Sequence, residues 1–162
     1  MGFYGPPTSG GGGAGVVNQI ATAVETDEVS TSLTIPTDGT IPQITEGEEL
    51  ISLAFTPTSA TAKLLIEFTS FFNSDGTNNI VAAIFQNGVS DALNYEMLTS
   101  NGAANCWAFA LRVVVDASSV TARTFSVRYG GDGGTTYCLN QYNSSPGRRG
   151  GSAVLTVTEF EP

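Results

Sequence analysis

The sequence predicts an all-β protein, a jelly-roll-like antiparallel β-sandwich carried on an extended N-terminal arm. Three observations predict it. Short β-prone runs recur between turn residues, no stretch sustains a helical period, and residues 1–15 form a Gly/Pro-rich segment unlike the rest. The 162 residues suit one domain with a closed core, and the division is an arm over 1–15 and a β-sandwich domain over 16–162.

The arm comes first. Gly10 to Gly13 is an unbroken glycine run, preceded by Pro6-Pro7 and by the apolar Phe3 and Tyr4. Such a run builds no core and reads as a linker. Its apolar tip, Phe3, Tyr4, Pro6 and Pro7, is the expected anchor into a neighbouring subunit. The same terminus lacks the basic stretch and apolar core of a signal peptide, and no apolar run is long enough to span a bilayer, so the expectation is a soluble chain without its own export signal.

Strands are predicted at Ile20–Glu25, Val29–Ile35, Leu50–Thr56, Lys63–Phe72, Ile80–Gln86, Leu93–Thr99, Asn105–Val115, Thr121–Tyr129, Thr135–Gln141 and Ser152–Phe160. Asp38-Gly39, Asn87-Gly88, Asn101-Gly102 and Asp132-Gly133 mark turns between them, and Pro36 to Glu49 is a long turn-rich connection. Thr124–Tyr129 alternates as a half-buried strand should. Other runs are apolar on both faces. In Ile80–Phe85 the second face carries Val81, Ala83 and Phe85; Leu64-Leu65-Ile66 is a short case, and in Trp107–Val115 only Arg112 breaks the second face. A two-layer sandwich covers one face of each strand. The second therefore needs a partner subunit, the preferred reading, or a loop or arm of the same chain. Leu65, Val81 and Phe85 become the interface candidates.

Composition excludes several kinds of chemistry. Charged residues are 13% of the chain, and 15 acids against 6 bases give a net charge of −9. Lys63 is the single lysine, which argues against nucleic acid as a partner. No histidine is present, so Ser–His–Asp and Cys–His arrangements and the usual catalytic zinc sites are excluded. The expectation is no enzyme activity, no cofactor and no metal. Cys106 and Cys138 have neither metal-ligand nor redox-motif spacing, and two buried thiols are preferred over one disulfide.

Several motifs invite a chemical reading and are better read otherwise. Glu46, Glu48 and Glu49 cluster in a turn and read as a solvated acidic loop, not a carboxylate pair across a cleft. Asp75-Gly76-Thr77-Asn78-Asn79 is rich in oxygen ligands but lacks the spacing and bidentate Glu of a calcium loop, so it reads as a turn. Gly130 to Gly134 follows a strand with no helix after it, which leaves a flexible connection and not a phosphate loop. Asn143-Ser144-Ser145 matches a glycosylation sequon without further support. Arg148 and Arg149, the one basic pair, are read equally as an ion-paired contact with a neighbour and as solubilising loop residues. Trp107, Tyr137 and Tyr142 offer a sugar-stacking surface, against which Trp107 sits in an apolar run and reads as core.

Two stretches carry a resemblance: Leu33-Thr34-Ile35-Pro36 followed by Thr40 to Glu49, and Phe55-Thr56-Pro57-Thr58-Ser59 through Ile66, with Leu155 to Phe160 closing the chain. From about Ile20 onward the chain resembles a jelly-roll domain of phage and prophage structural proteins, of the tumour-necrosis-factor and C1q type. The resemblance implies a homo-oligomer, usually a trimer, on a tail fibre or other virion surface, with no catalytic motif. On this reading the expected function is a capsid decoration or cement protein, assembled in the host cytoplasm and partnered by a major capsid or tail protein. The alternative is a tail-fibre or receptor-binding tip recognising host surface glycans.

Overall fold

The computed structural model describes residues 15–101, 106–139 and 151–161. Among them ten strands form: β1 (Val16–Glu25), β2 (Val29–Thr31), β3 (Glu48–Phe55), β4 (Lys63–Ser74), β5 (Asn79–Gln86), β6 (Asn94–Thr99), β7 (Trp107–Asp116), β8 (Arg123–Gly131), β9 (Thr136–Cys138) and β10 (Ala153–Glu161). All pair antiparallel, in two sheets. One has the order β3-β8-β5-β6. In the other, β1 pairs β10, β10 pairs β4, and β7 pairs the far edge of β4, while β9 and then β2 continue outward from the end of β4. The facing four-strand blocks β1-β10-β4-β7 and β3-β8-β5-β6 make a double-sheet jelly roll, as the sequence predicts, with β9 and β2 extending the first sheet to six strands.

Alternation places the core. Leu64, Ile66, Phe68 and Phe72 point inward from β4, Phe109 and Leu111 from β7, Phe125, Val127 and Tyr129 from β8, and Leu155 and Val157 from β10; all are buried. The Phe72 ring meets Phe109 edge-on at 5.0 Å and lies 5.4 Å from the Tyr129 ring. Such aromatic pairs contribute about 0.5–1.5 kcal/mol each beyond the area they bury.

The predicted second run splits. Pairing stops at Thr31, and residues 32–47 cross the outer face of the β3-β8-β5-β6 sheet as a strap. Its backbone is tied at both ends and in the middle. Ile35 N donates to Gly131 O at 3.3 Å, Gly47 N to Thr34 O at 2.9 Å, Ile44 N to Ser90 O at 2.8 Å, and Ala92 N to Pro42 O at 2.9 Å. Arg128 reaches out from β8 and donates to the Glu46 and Gly47 carbonyls at 2.7 and 2.8 Å. Ile35 and Pro42 are buried beneath the strap's own turns.

This strap corrects one expectation. Val81 and Phe85, read as interface candidates, are 2% and 0% exposed within the single chain, and Ala83 is equally buried. The second apolar face of β5 is hidden by a connection of the same polypeptide, so no partner is needed there. The turn residues of Pro36 to Glu49 read correctly as a connection; that the connection folds back as a lid depended on contacts distant in sequence. Leu65 is half-buried on the outer face of the other sheet. Phe3, Tyr4, Pro6, Pro7, Arg148, Arg149 and Tyr142 lie outside the described residues.

Candidate functional site

The resemblance-bearing motifs converge on two structural fixtures. The strap is one. The other is the turn between β3 and β4, which closes around Glu159 of β10. The Glu159 side chain is buried, and its carboxylate accepts hydrogen bonds from Thr58 N at 3.0 Å, Thr58 Oγ1 at 3.0 Å, Ser59 N at 2.9 Å and Gln19 Nε2 at 2.7 Å. A register shift between Val17 and Gln19 puts Gln19 opposite Glu159 on the inward side. Gln19 also donates to Thr56 O at 2.7 Å, so one carboxylate and one amide fasten β1, β10 and the Pro57–Ser59 turn together. Burial pushes the Glu159 pKa up, but the donors from Thr58, Gln19 and Ser59 outweigh it and hold the carboxyl below its usual range. A carboxylate held this way stays ionised and fully engaged. It is a clamp, not a proton shuttle.

The oxygen-rich loop is a second interlock. Asp75 Oδ1 accepts from Thr135 N at 3.0 Å, while Asp132 accepts from Asn79 N at 2.8 Å and Asn79 Nδ2 at 2.6 Å. Ser74 Oγ accepts from Asn78 Nδ2 at 3.0 Å. The carboxylates of the β4–β5 and β8–β9 turns thus cap each other's backbone, and among the described residues no group of three His, Cys, Asp or Glu side chains is placed to hold a metal ion. The Gly130–Gly134 stretch is a close-packed turn, with Gly134 at φ +64° against Asp75 and Asn78. Glu48 and Glu49 are exposed and Glu46 is half-buried, its carboxylate accepting from Gln43 N at 2.9 Å.

Register keeps the two thiols apart. Trp107 and Cys138 flank Phe72 from opposite edges of β4, so Cys106, next to Trp107, is separated from Cys138 by a full strand. Two strand spacings are about 9.5 Å, beyond the roughly 7 Å that a disulfide spans. Both cysteines are free; Cys138 is buried and Cys106 only half-buried, which corrects the expectation of two buried thiols. Burial drives the Cys138 pKa up to about 12 despite a 3.2 Å contact with Ser70 Oγ. At pH 8 its thiolate fraction is on the order of 10⁻⁴. A thiol-specific reagent is expected to label Cys106 alone in the native chain and both cysteines after denaturation, read by intact mass.

No known protein-family profile and no curated protein matches this chain. Solved structures similar to it include that of the infectious bursal disease virus Gt strain, at 14% identity and TM-score 0.41 over 90% of this chain and 42% of that one. The VP2 subviral particle of the same virus follows at 15% identity and TM-score 0.40, over 88% and 41%. The chain spans about two-fifths of the length of each of those proteins.

Two surfaces stand out among the described residues. Pro36, Thr37, Thr40, Pro42, Val81, Tyr95 and Met97 line a pocket of about 150 Å³ at the edge of the strap. The larger is the outer face of β1-β10-β4-β7, which no strap crosses among the described residues. Val17, Ile20, Val24 and Val114 are more than half exposed there. The sugar-stacking trio is not assembled among the described residues: Trp107 is half-buried on the inward side of β7, and Tyr137 is half-buried on β9.

Proposed function

We propose that the chain is a non-enzymatic structural protein of a virus particle. Within that class it is a phage capsid decoration or cement protein, with residues 1–15 docking on the particle and the jelly roll forming a homo-oligomer. Three copies are the count its resemblance implies. One observation carries the reading: the motif residues on which the resemblance to virion-surface domains rests work as fixtures of the scaffold. Leu33 to Gly47 lies in the strap, and Thr58 and Ser59 grip Glu159. Polar groups with the potential for chemistry, Glu159, Asp75, Asp132 and Arg128, bond to the chain's own backbone. A protein whose reactive side chains hold its turns is suited to persistence, not turnover.

Imaging of particles containing the chain tests this. The expected map shows the jelly roll on the outer surface of the shell, with residues 1–15 in a groove of the capsid. A chain missing from purified particles, or an arm projecting into solvent, contradicts it.

The pocket beside Tyr95 favours a second reading, a receptor-binding tip for host glycans. Tyr95 is 46% exposed at the pocket, beside the hydroxyls of Thr37 and Thr40. An exposed aromatic beside hydroxyls suits a sugar ring. On that reading a glycan array gives specific binding that Tyr95→Ala abolishes; no binding leaves the decoration role alone.

A further inference from the structure

The open face is ordered in rows. Cα register sets Val17, Phe160, Lys63 and Asp116 side by side across β1, β10, β4 and β7; then Ile20, Thr158, Leu65 and Val114; then Thr22, Thr156, Glu67 and Arg112; then Val24, Val154, Thr69 and Ala110. Two rows are uncharged. Each of the other two holds one cation and one anion, Lys63 with Asp116 and Glu67 with Arg112, so the face carries no net charge on a chain of net charge −9. Lys63 and Asp116 form an ion pair across the strands. Between Glu67, Thr69, Ala110 and Arg112 the surface dips into a hollow of about 350 Å³.

We infer that this face docks against the same face of a second copy of the chain. The inference rests on the proposed assembly role and specifies the surface that serves it. A copy turned over about a two-fold axis parallel to the strands keeps every residue in its row. The Ile20–Leu65–Val114 row then packs on itself, and each charged row meets its own copy in reverse order. Lys63 and Asp116 face Phe160 and Val17, Glu67 and Arg112 face Thr156 and Thr22, and every pair of rows stays neutral. Acidic chains repel elsewhere on their surfaces, so a neutral face is where two of them approach at least electrostatic cost. Four strands across and four rows along measure about 19 by 27 Å, or roughly 1,000 Å² buried over both copies, at the lower limit of a specific interface. The pairing is therefore concentration-dependent. It is two-fold, where the resemblance implies three copies.

Sedimentation of the full chain over a range of concentrations, with three variants, tests the inference. Wild type is expected to pass from monomer to dimer. Leu65→Glu and Arg112→Glu each raise the dissociation constant at least ten-fold, with an unchanged far-ultraviolet spectrum and melting profile. The double exchange Glu67→Arg with Arg112→Glu restores pairing, because every row is neutral again. An assembly that all three variants leave intact, or a trimer, overturns this face as the contact while leaving the assembly role standing. A chain monomeric at every concentration overturns both.

Discussion

Replacing Gly47 with alanine is expected to lower stability by about 3 kcal/mol or more, the cost of overpacking added to backbone strain. Gly47 sits at φ +63° where the strap turns into β3, and a Cβ there meets Tyr129 O at 2.6 Å and Ile35 Cγ1 at 2.7 Å. One obstacle is backbone of a central strand and the other a fully buried side chain, so neither yields without disturbing the core. Gly39 is the internal control. Its φ is +88°, but nothing lies within 4 Å of an added Cβ, so Gly39→Ala adds conformational strain alone, about 1 kcal/mol. At about 2–4 °C per kcal/mol for a domain of this size, Gly47→Ala melts roughly 6–12 °C below wild type and Gly39→Ala only a few degrees below. Equal melting points for the two variants contradict a strap closely seated on β8.

Glu159→Gln carries the second large effect, about 2–4 kcal/mol at neutral pH, since hydrogen bonds to a buried charged acceptor are worth about 1.5–3 kcal/mol each and are not additive. Donors approach both carboxylate oxygens. An amide in the same place turns an N–H toward one of them. The sign of the pH dependence follows from the direction of the shift. The carboxyl pKa is lowered in the folded chain, so its stabilisation is complete above the unfolded value, about 4.3–4.5, and is lost as pH falls through the lower folded value. The gap between wild type and Glu159→Gln in denaturant midpoint is expected to hold constant from pH 7 to 5 and to narrow below pH 4. A gap that widens on acidification contradicts the clamp.

The jelly roll was legible because period-two alternation is a local signal. Phe125, Val127 and Tyr129 announce the inward face of β8 by spacing alone, and Asp38-Gly39 and Asn87-Gly88 announce turns. Glycines at φ +88° and +81° occupy both. What covers a strand's second face is not local. Val81 and Phe85 looked like surface awaiting a partner because the strap over them begins some 50 residues earlier in the chain. Glu159 was invisible for the same reason. In the alternating run Leu155 to Phe160 it occupies an inward position, which reads as an end-of-strand polar residue until Thr58, Ser59 and Gln19 are brought around it from 100 or more positions away. Cys106 and Cys138 left two states open in the sequence, and only the interposed β4 separates them.

One outer face of the sandwich is closed by its own chain, and the other, on the proposal above, by a second copy. Oxidative footprinting of the full chain, diluted and concentrated, addresses both halves at once. Val81 and Phe85 are predicted to stay protected at every concentration, whereas Ile20, Leu65 and Val114 become protected only as the chain is concentrated. Labelling of Phe85 in the dilute protein, or an open face equally reactive at both extremes, would contradict this closure of the two faces.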